Sequence, residues 1–134
     1  MTMPQLVRAF PLHRPIEDLQ RFAEELRTRR AETDAFYLGF GVRRETWHVQ
    51  ETPFGPWVIG VTEIEDPAAS GARYAASSAE FDAWFKGSIM RLSGVDPDNA
   101  PLGPPTRQVF EWVANDGEAT LELAFAAPAM QSAG

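Results

Sequence analysis

Cysteine is absent from this 134-residue chain. That excludes a disulfide framework, a thiolate nucleophile and any cysteine-ligated metal. It also suits a reducing compartment, so a cytoplasmic location is the expectation. Lysine is nearly absent: Lys86 stands alone, and arginine supplies the rest of the 12 basic residues. Against 19 acidic residues the formal charge is -7, the wrong sign for a surface that neutralises phosphates, and no nucleic-acid partner is expected. The arginine runs at Arg27, Arg29-Arg30 and Arg43-Arg44 are short and broken by Thr28 or followed by Glu45, as on a solvated surface. No apolar run approaches a membrane span, and the N-terminus has no charged segment leading into an apolar one. Neither a membrane anchor nor a signal peptide is expected.

What the chain does contain is centred on residues 42–64. Two arms rich in β-branched and aromatic residues flank Pro53, Gly55 and Pro56, the chemistry of strand, turn and strand. Alternation puts Trp47, Val49 and Glu51 on one face of the first arm and Thr46, His48 and Gln50 on the other. In the second arm Trp57, Ile59, Val61 and Glu63 oppose Val58, Gly60, Thr62 and Ile64. The second arm is apolar almost throughout, which suits a strand covered on both faces.

Around this hairpin the pattern is regular. Residues 5–12 alternate as a first strand, with Leu6, Arg8, Phe10 and Leu12 against Val7, Ala9 and Pro11. Pro15 opens a helix whose stripe is Ile16, Leu19, Phe22, Ala23 and Leu26. A second helical stretch runs from Arg29 to Phe40, with Gly39 and Gly41 suited to ending it. After Ile64 the Ala/Ser/Gly-rich run to Ala76 reads as a loop or a short turn, and Ser77 with Glu80 as a capping box. The following helix carries Phe81, Trp84, Phe85, Ile89 and Leu92, with Gly94 as its left-handed cap. Prolines make residues 96–105 an extended connection. Strands are expected over 107–114 and 118–125, joined at Asn115-Asp116-Gly117. One α+β domain over residues 1–127 and a flexible tail over 128–134 result.

Strand, helix, hairpin, helix and strand make the β-α-β-β-α-β order of a ferredoxin-like sandwich with an antiparallel sheet and an extra C-terminal strand. The chain resembles the dimeric α+β barrel superfamily through that order, and through Gly41-Val42-Arg43-Arg44-Glu45 leading into an aromatic hairpin strand. It is similar to uncharacterised bacterial members of that group through Phe81-Asp82-Ala83-Trp84-Phe85-Lys86 and Gly94-Val95-Asp96-Pro97. The resemblance implies a homodimer whose two sheets meet back to back. The superfamily includes cofactor-free monooxygenases, haem-degrading enzymes, lactone isomerases and plain binding proteins. The monooxygenase branch relies on asparagine among its site residues, and the two asparagines here, Asn99 and Asn115, fall in a loop and a turn. That carry-over fails.

Several residues carry candidate chemistry. His48, mid-strand beside Trp47, can act as acid or base near neutral pH; the alternative is a histidine hydrogen-bonded at the sheet surface or dimer seam. Glu63 interrupts an apolar face and can serve as a base; the alternative is a strand-end ion pair with an arginine such as Arg8 or Arg107. Glu111 sits between Val109 and Val113 in the same manner, so two strand carboxylates could face one cavity. Trp47, Trp57 and Tyr74, with Glu111, are candidates to line a ligand cleft, whereas Trp84 lies on a helix stripe and reads as core. His13 sits where the second element begins, and no pair of possible ligands has metal-binding spacing, so no metal and no cofactor are expected. The expectation is a homodimer holding a small apolar or aromatic molecule between sheet and helices. If it is an enzyme, proton transfer through His48 or Glu63 is its chemistry. The alternative is a non-catalytic interaction or stress-associated protein that works only through its dimer surface.

Overall fold

A computed structural model of the chain describes residues 3–95, 106–115 and 118–122. Its elements are β1 (Gln5–Pro11), α1 (Ile16–Thr28), α2 (Arg30–Gly39), β2 (Val42–Thr52), β3 (Gly55–Ile64), α3 (Pro67–Ala76), α4 (Glu80–Ser93), β4 (Glu111–Asn115) and β5 (Glu118–Glu122). This is an α+β fold. Its main sheet is antiparallel and three-stranded in the order β1-β3-β2, and β4 and β5 form a separate two-stranded ribbon.

The β2–β3 hairpin closes through Pro53 and Phe54, with Thr52 opposite Gly55. Gly55 takes a φ of 106°, a conformation open to glycine and costly for other residues. The Thr52 hydroxyl donates to the Gly55 carbonyl at 2.6 Å and accepts from the Phe54 amide at 3.1 Å, so one side chain ties the turn on both sides. β3 is the central strand. Its alternation therefore sorts the whole sheet: Val58, Gly60, Thr62 and Ile64 point toward the helices, and Trp57, Ile59, Val61 and Glu63 point away.

The core lies between this sheet and the helices. α1 buries Leu19, Phe22 and Leu26, α2 buries Phe36, and α4 buries Phe81, Phe85, Ile89 and Leu92. These join Phe10 of β1 and Val58 of β3 in one cluster. Aromatic rings dominate it. Phe36 and Phe85 have ring centroids 4.4 Å apart, and Phe22 packs on Phe85 at 5.3 Å and on Trp47 at 5.5 Å. Offset and edge contacts of this kind add directional preference to the area they bury. Arg29 covers the edge of the cluster, with its guanidinium over the rings of Phe81 and Trp84 at 4.8 and 4.6 Å.

Three local expectations are corrected. Residues 67–76 form the helix α3, where a loop or short turn was expected. Asp66 caps it, its carboxylate accepting from the Ala69 amide at 3.1 Å, and Pro67 occupies the first turn. Alanine-rich composition supports a helix once such a cap is present. The Ser77–Glu80 capping box does not form: α4 starts after Ala79 without a side-chain cap, and the Ser77 hydroxyl donates back to the Tyr74 carbonyl at 3.0 Å. Ser77 closes α3 instead of opening α4. The strand expected over 107–114 is found only from Glu111, and it pairs with β5, not with the main sheet. Thr106 nevertheless donates its amide to the Val7 carbonyl at 3.1 Å, so the chain returns to the free edge of β1 before the ribbon begins. The connection at 96–105, the turn residues 116–117, the end of the last expected strand and the tail at 128–134 lie outside the described residues.

Gly94 does cap α4 as the sequence suggests, with a φ of 73° and its amide donating to the Met90 carbonyl at 2.8 Å. A side chain there would start 3.4 Å from the His13 ring. The His13 amide in turn donates to the Leu92 carbonyl at 2.8 Å. His13 therefore serves the end of α4.

Candidate ligand cavity between sheet and helices

Between the inner sheet face and α1, α2, α3 and α4 lies a cavity of about 380 Å³. Three rows of the sheet register make its floor. Leu6, Thr62 and Glu45 form one row, Arg8, Gly60 and Trp47 the next, and Phe10 with Val58 the third. The middle row explains the space. Gly60 has no side chain, so a gap opens between Arg8 and Trp47, and a Cβ built there would meet only the Trp47 ring at 3.9 Å. On the helix side the walls are Leu19, Phe36, Tyr37, Phe85 and Ile89, with Pro67, Ser70, Gly71 and Tyr74 contributed by α3. α3 is built from small residues, and Ser70 is its one buried residue, so this helix roofs the cavity without filling it.

Lys86 holds the end of that roof. Only 6% exposed, it donates to the carbonyls of Ser77 at 2.9 Å and Ala75 at 3.4 Å, and its ammonium lies 5.2 Å from the centre of the Tyr74 ring. A cation at the C-terminal carbonyls of a helix satisfies acceptors that the helix leaves open.

Two charged side chains line the cavity, Arg8 and Glu45. Glu45 is tightly held. Its Oε2 accepts from the Tyr37 hydroxyl at 2.6 Å and from the Trp47 indole at 2.8 Å, and its Oε1 accepts from the Thr62 hydroxyl at 2.9 Å. Burial, then the adjacent Glu45 charge and hydrogen bond, push the Tyr37 hydroxyl far above the ordinary tyrosine range, so it stays a neutral donor. Arg8 is the opposite case. Its side chain has no hydrogen bond or ion pair with any described residue, and its Nε is closed to solvent and unpartnered. Burial lowers the pKa of its guanidinium, while Tyr74 and Glu45 act the other way. An arginine starts so high that it remains charged.

A broader groove between α2 and β2 reaches Glu45 from its other side, but its cations already have partners. Arg30 binds Asp34 at 2.9 Å, Arg27 binds Glu24 at 2.8 Å, and Arg44 faces Glu63 at 3.7 Å. The sheet–helix cavity is therefore the stronger candidate: it is more apolar and holds an unspent donor group.

Of the residues singled out from sequence, Trp47 and Tyr74 line this cavity. His48 and Glu63 do not; both are on the outer face of the sheet. His48 is exposed beside Ile59, with its Nε2 3.0 Å from the Thr46 hydroxyl. Glu63 faces Arg44 at 3.7 Å, a strand ion pair of the kind given as its alternative, with Arg44 as the partner in place of Arg8 or Arg107. Trp57, 37% exposed, is on the same outer face. Glu111 is exposed on the ribbon strand β4 and does not line the cavity. Glu45 and Arg8 are not among the cleft residues expected from the sequence, although both carry a signal. Glu45 shares the alternation of Trp47, and Arg8 interrupts Leu6 and Phe10.

Among the described residues no group of three His, Asp or Glu side chains is arranged to hold a metal ion, and no helix is long and apolar enough to cross a membrane. Comparison with protein-family models, with curated proteins and with solved structures finds no match.

Proposed function

We propose that the protein binds a small, largely apolar molecule in the sheet–helix cavity. The observation that carries this reading is the gap at Gly60: a space of about 380 Å³, walled mainly by aromatic and aliphatic side chains, with a few fixed polar groups on its floor. Ligand pockets share those features and begin at about 300 Å³. Binding is favoured over proton transfer at this site because Glu45 already accepts three hydrogen bonds, close to the capacity of a carboxylate.

Gly60→Leu tests the reading. The leucine side chain points into the gap on a strand residue that has no positive φ. The variant is expected to fold with unchanged or higher stability and to lose binding of N-phenyl-1-naphthylamine, a neutral fluorescent probe. Undiminished probe binding by the folded variant would count against the cavity.

A second reading, homodimerisation, concerns the outer sheet face. The order β1-β3-β2, with Thr106 returning to the edge of β1, supports a ferredoxin-like arrangement. In such a sandwich the face away from the helices is free to meet a second copy. Val7, Ile59 and Val61 give that face an apolar centre, and Val109, Phe110, Trp112 and Val113 lie exposed on and before the ribbon. His48 and Glu63 would then sit at the seam between copies, where any acid–base work of theirs would be done. If that surface is the protein's entire work, filling the cavity leaves its function intact. Sedimentation velocity is expected to give a dimer at micromolar concentration and a monomer for Val61→Glu. A monomeric parent protein would remove this reading.

A further inference from the structure

Arg8 is the charged group of the cavity whose hydrogen-bonding capacity is unspent among the described residues. An unpaired guanidinium in apolar surroundings is costly, and folds ordinarily give it a carboxylate. Here the carboxylate is close at hand. Glu45 is one sheet row from Arg8, since Arg8 pairs with Gly60 and Glu45 with Thr62. The two form no ion pair, because Tyr37, Trp47 and Thr62 hold both oxygens of Glu45. The fold thus keeps its own acid away from Arg8 while leaving open space beside it at Gly60.

The geometry points to a ligand carrying a single carboxylate, seated with its apolar body among Trp47, Phe36 and Phe85 and its carboxylate on the Arg8 guanidinium. This identifies the ligand class of the cavity and rests on the proposal that the cavity binds a small molecule. The fork of a guanidinium matches a carboxylate with two parallel N–H donors. One charge fits better than two: a phosphate monoester carries about -1.5 to -2 near neutral pH and would set the excess against the fixed charge of Glu45. A cationic ligand gains little from Glu45, whose acceptor positions are mostly filled, and is repelled by Arg8.

A matched pair tests the inference by calorimetry at low salt and near neutral pH: 2-naphthoate and its neutral counterpart 2-naphthamide. The parent protein is expected to bind the carboxylate about ten- to a hundredfold more tightly, the range of a charge-assisted hydrogen bond. Arg8→Met is expected to remove that preference and to retain N-phenyl-1-naphthylamine binding. Arg8→Lys keeps the charge without the fork and is expected to fall between the two; it stands in if the methionine variant does not fold. Glu45→Gln removes the opposing charge and is expected to tighten naphthoate binding. Equal affinities of the parent for the two naphthyl compounds, or a carboxylate preference that survives in Arg8→Met, would overturn the inference while leaving cavity binding in place. If neither the naphthyl compounds nor the neutral probe bind the parent, the cavity reading falls and this inference falls with it.

Discussion

Glu45→Ala is expected to cost about 3 kcal/mol of stability, and Glu45→Gln less than half of that. The alanine variant strands three donors at once: the Tyr37 hydroxyl, the Trp47 indole and the Thr62 hydroxyl. Each bond to a charged acceptor is worth roughly 1.5–3 kcal/mol, but the three share one partner, and water entering the cavity restores part of the loss. Glutamine keeps the shape. Its carbonyl oxygen can serve Tyr37 and Trp47 together, and its amide can donate to Thr62, whose hydroxyl turns to accept. Thermal unfolding monitored by circular dichroism distinguishes the cases, and equal melting temperatures for the two variants would sink the claim.

Tyr37 adds a pH dependence to the same cluster. Burial first, then Glu45, raise its folded pKa above the ordinary value of about 10. The folded chain therefore keeps a proton that the unfolded chain releases. The stabilisation is complete below the unfolded pKa and is lost as pH rises beyond it. Stability should fall on the alkaline side, less steeply in Tyr37→Phe.

Phe36→Ala is expected to be the most damaging single truncation in the core, at about 3–5 kcal/mol. Phe36 is 7% exposed, with ring centroids of Phe85 at 4.4 Å, Phe40 at 5.0 Å, Tyr37 at 5.3 Å and Phe81 at 5.4 Å. It joins α2 to α4 and to the cavity wall, so its loss leaves a void between two helices that cannot readily close. Against a total stability of about 5–15 kcal/mol, such a loss takes a large share. The control is Phe54→Ala at the hairpin tip, where a ring 95% exposed should change stability by no more than about 0.5 kcal/mol. Denaturant midpoints for the two variants that fall together would contradict this picture of the core.

The framework of the fold was legible because its signals are local. Pro53 to Pro56 marks the hairpin, the stripe from Ile16 to Leu26 marks α1, and Gly94 marks the end of α4, each through backbone chemistry readable over a few residues. α3 was missed because its helical content rests on the Asp66 cap and on Lys86 reaching back from α4, a contact across nine or more residues. The site was harder. Alternation showed which residues share a face but not which face meets the helices, and that choice separates Trp47 and Glu45 from His48 and Glu63. A mid-strand histidine next to a tryptophan looked chemical, yet the register turns it outward. Arg8 carries only a weak local signal of a site, because one arginine in an alternating strand usually lies at a surface. Its meaning comes from Gly60, which is 52 positions away in sequence and directly opposite in the sheet.

Amide and indole NMR shifts of the labelled protein titrated with 2-naphthoate test the central claim most directly. The expected result is a continuous patch of shifts at the Trp47 indole N–H, the Gly60 amide and the amides of α3, with the outer-face residues Thr46, His48 and Glu63 undisturbed. Shifts confined to that outer face, or none at saturating ligand, would contradict it.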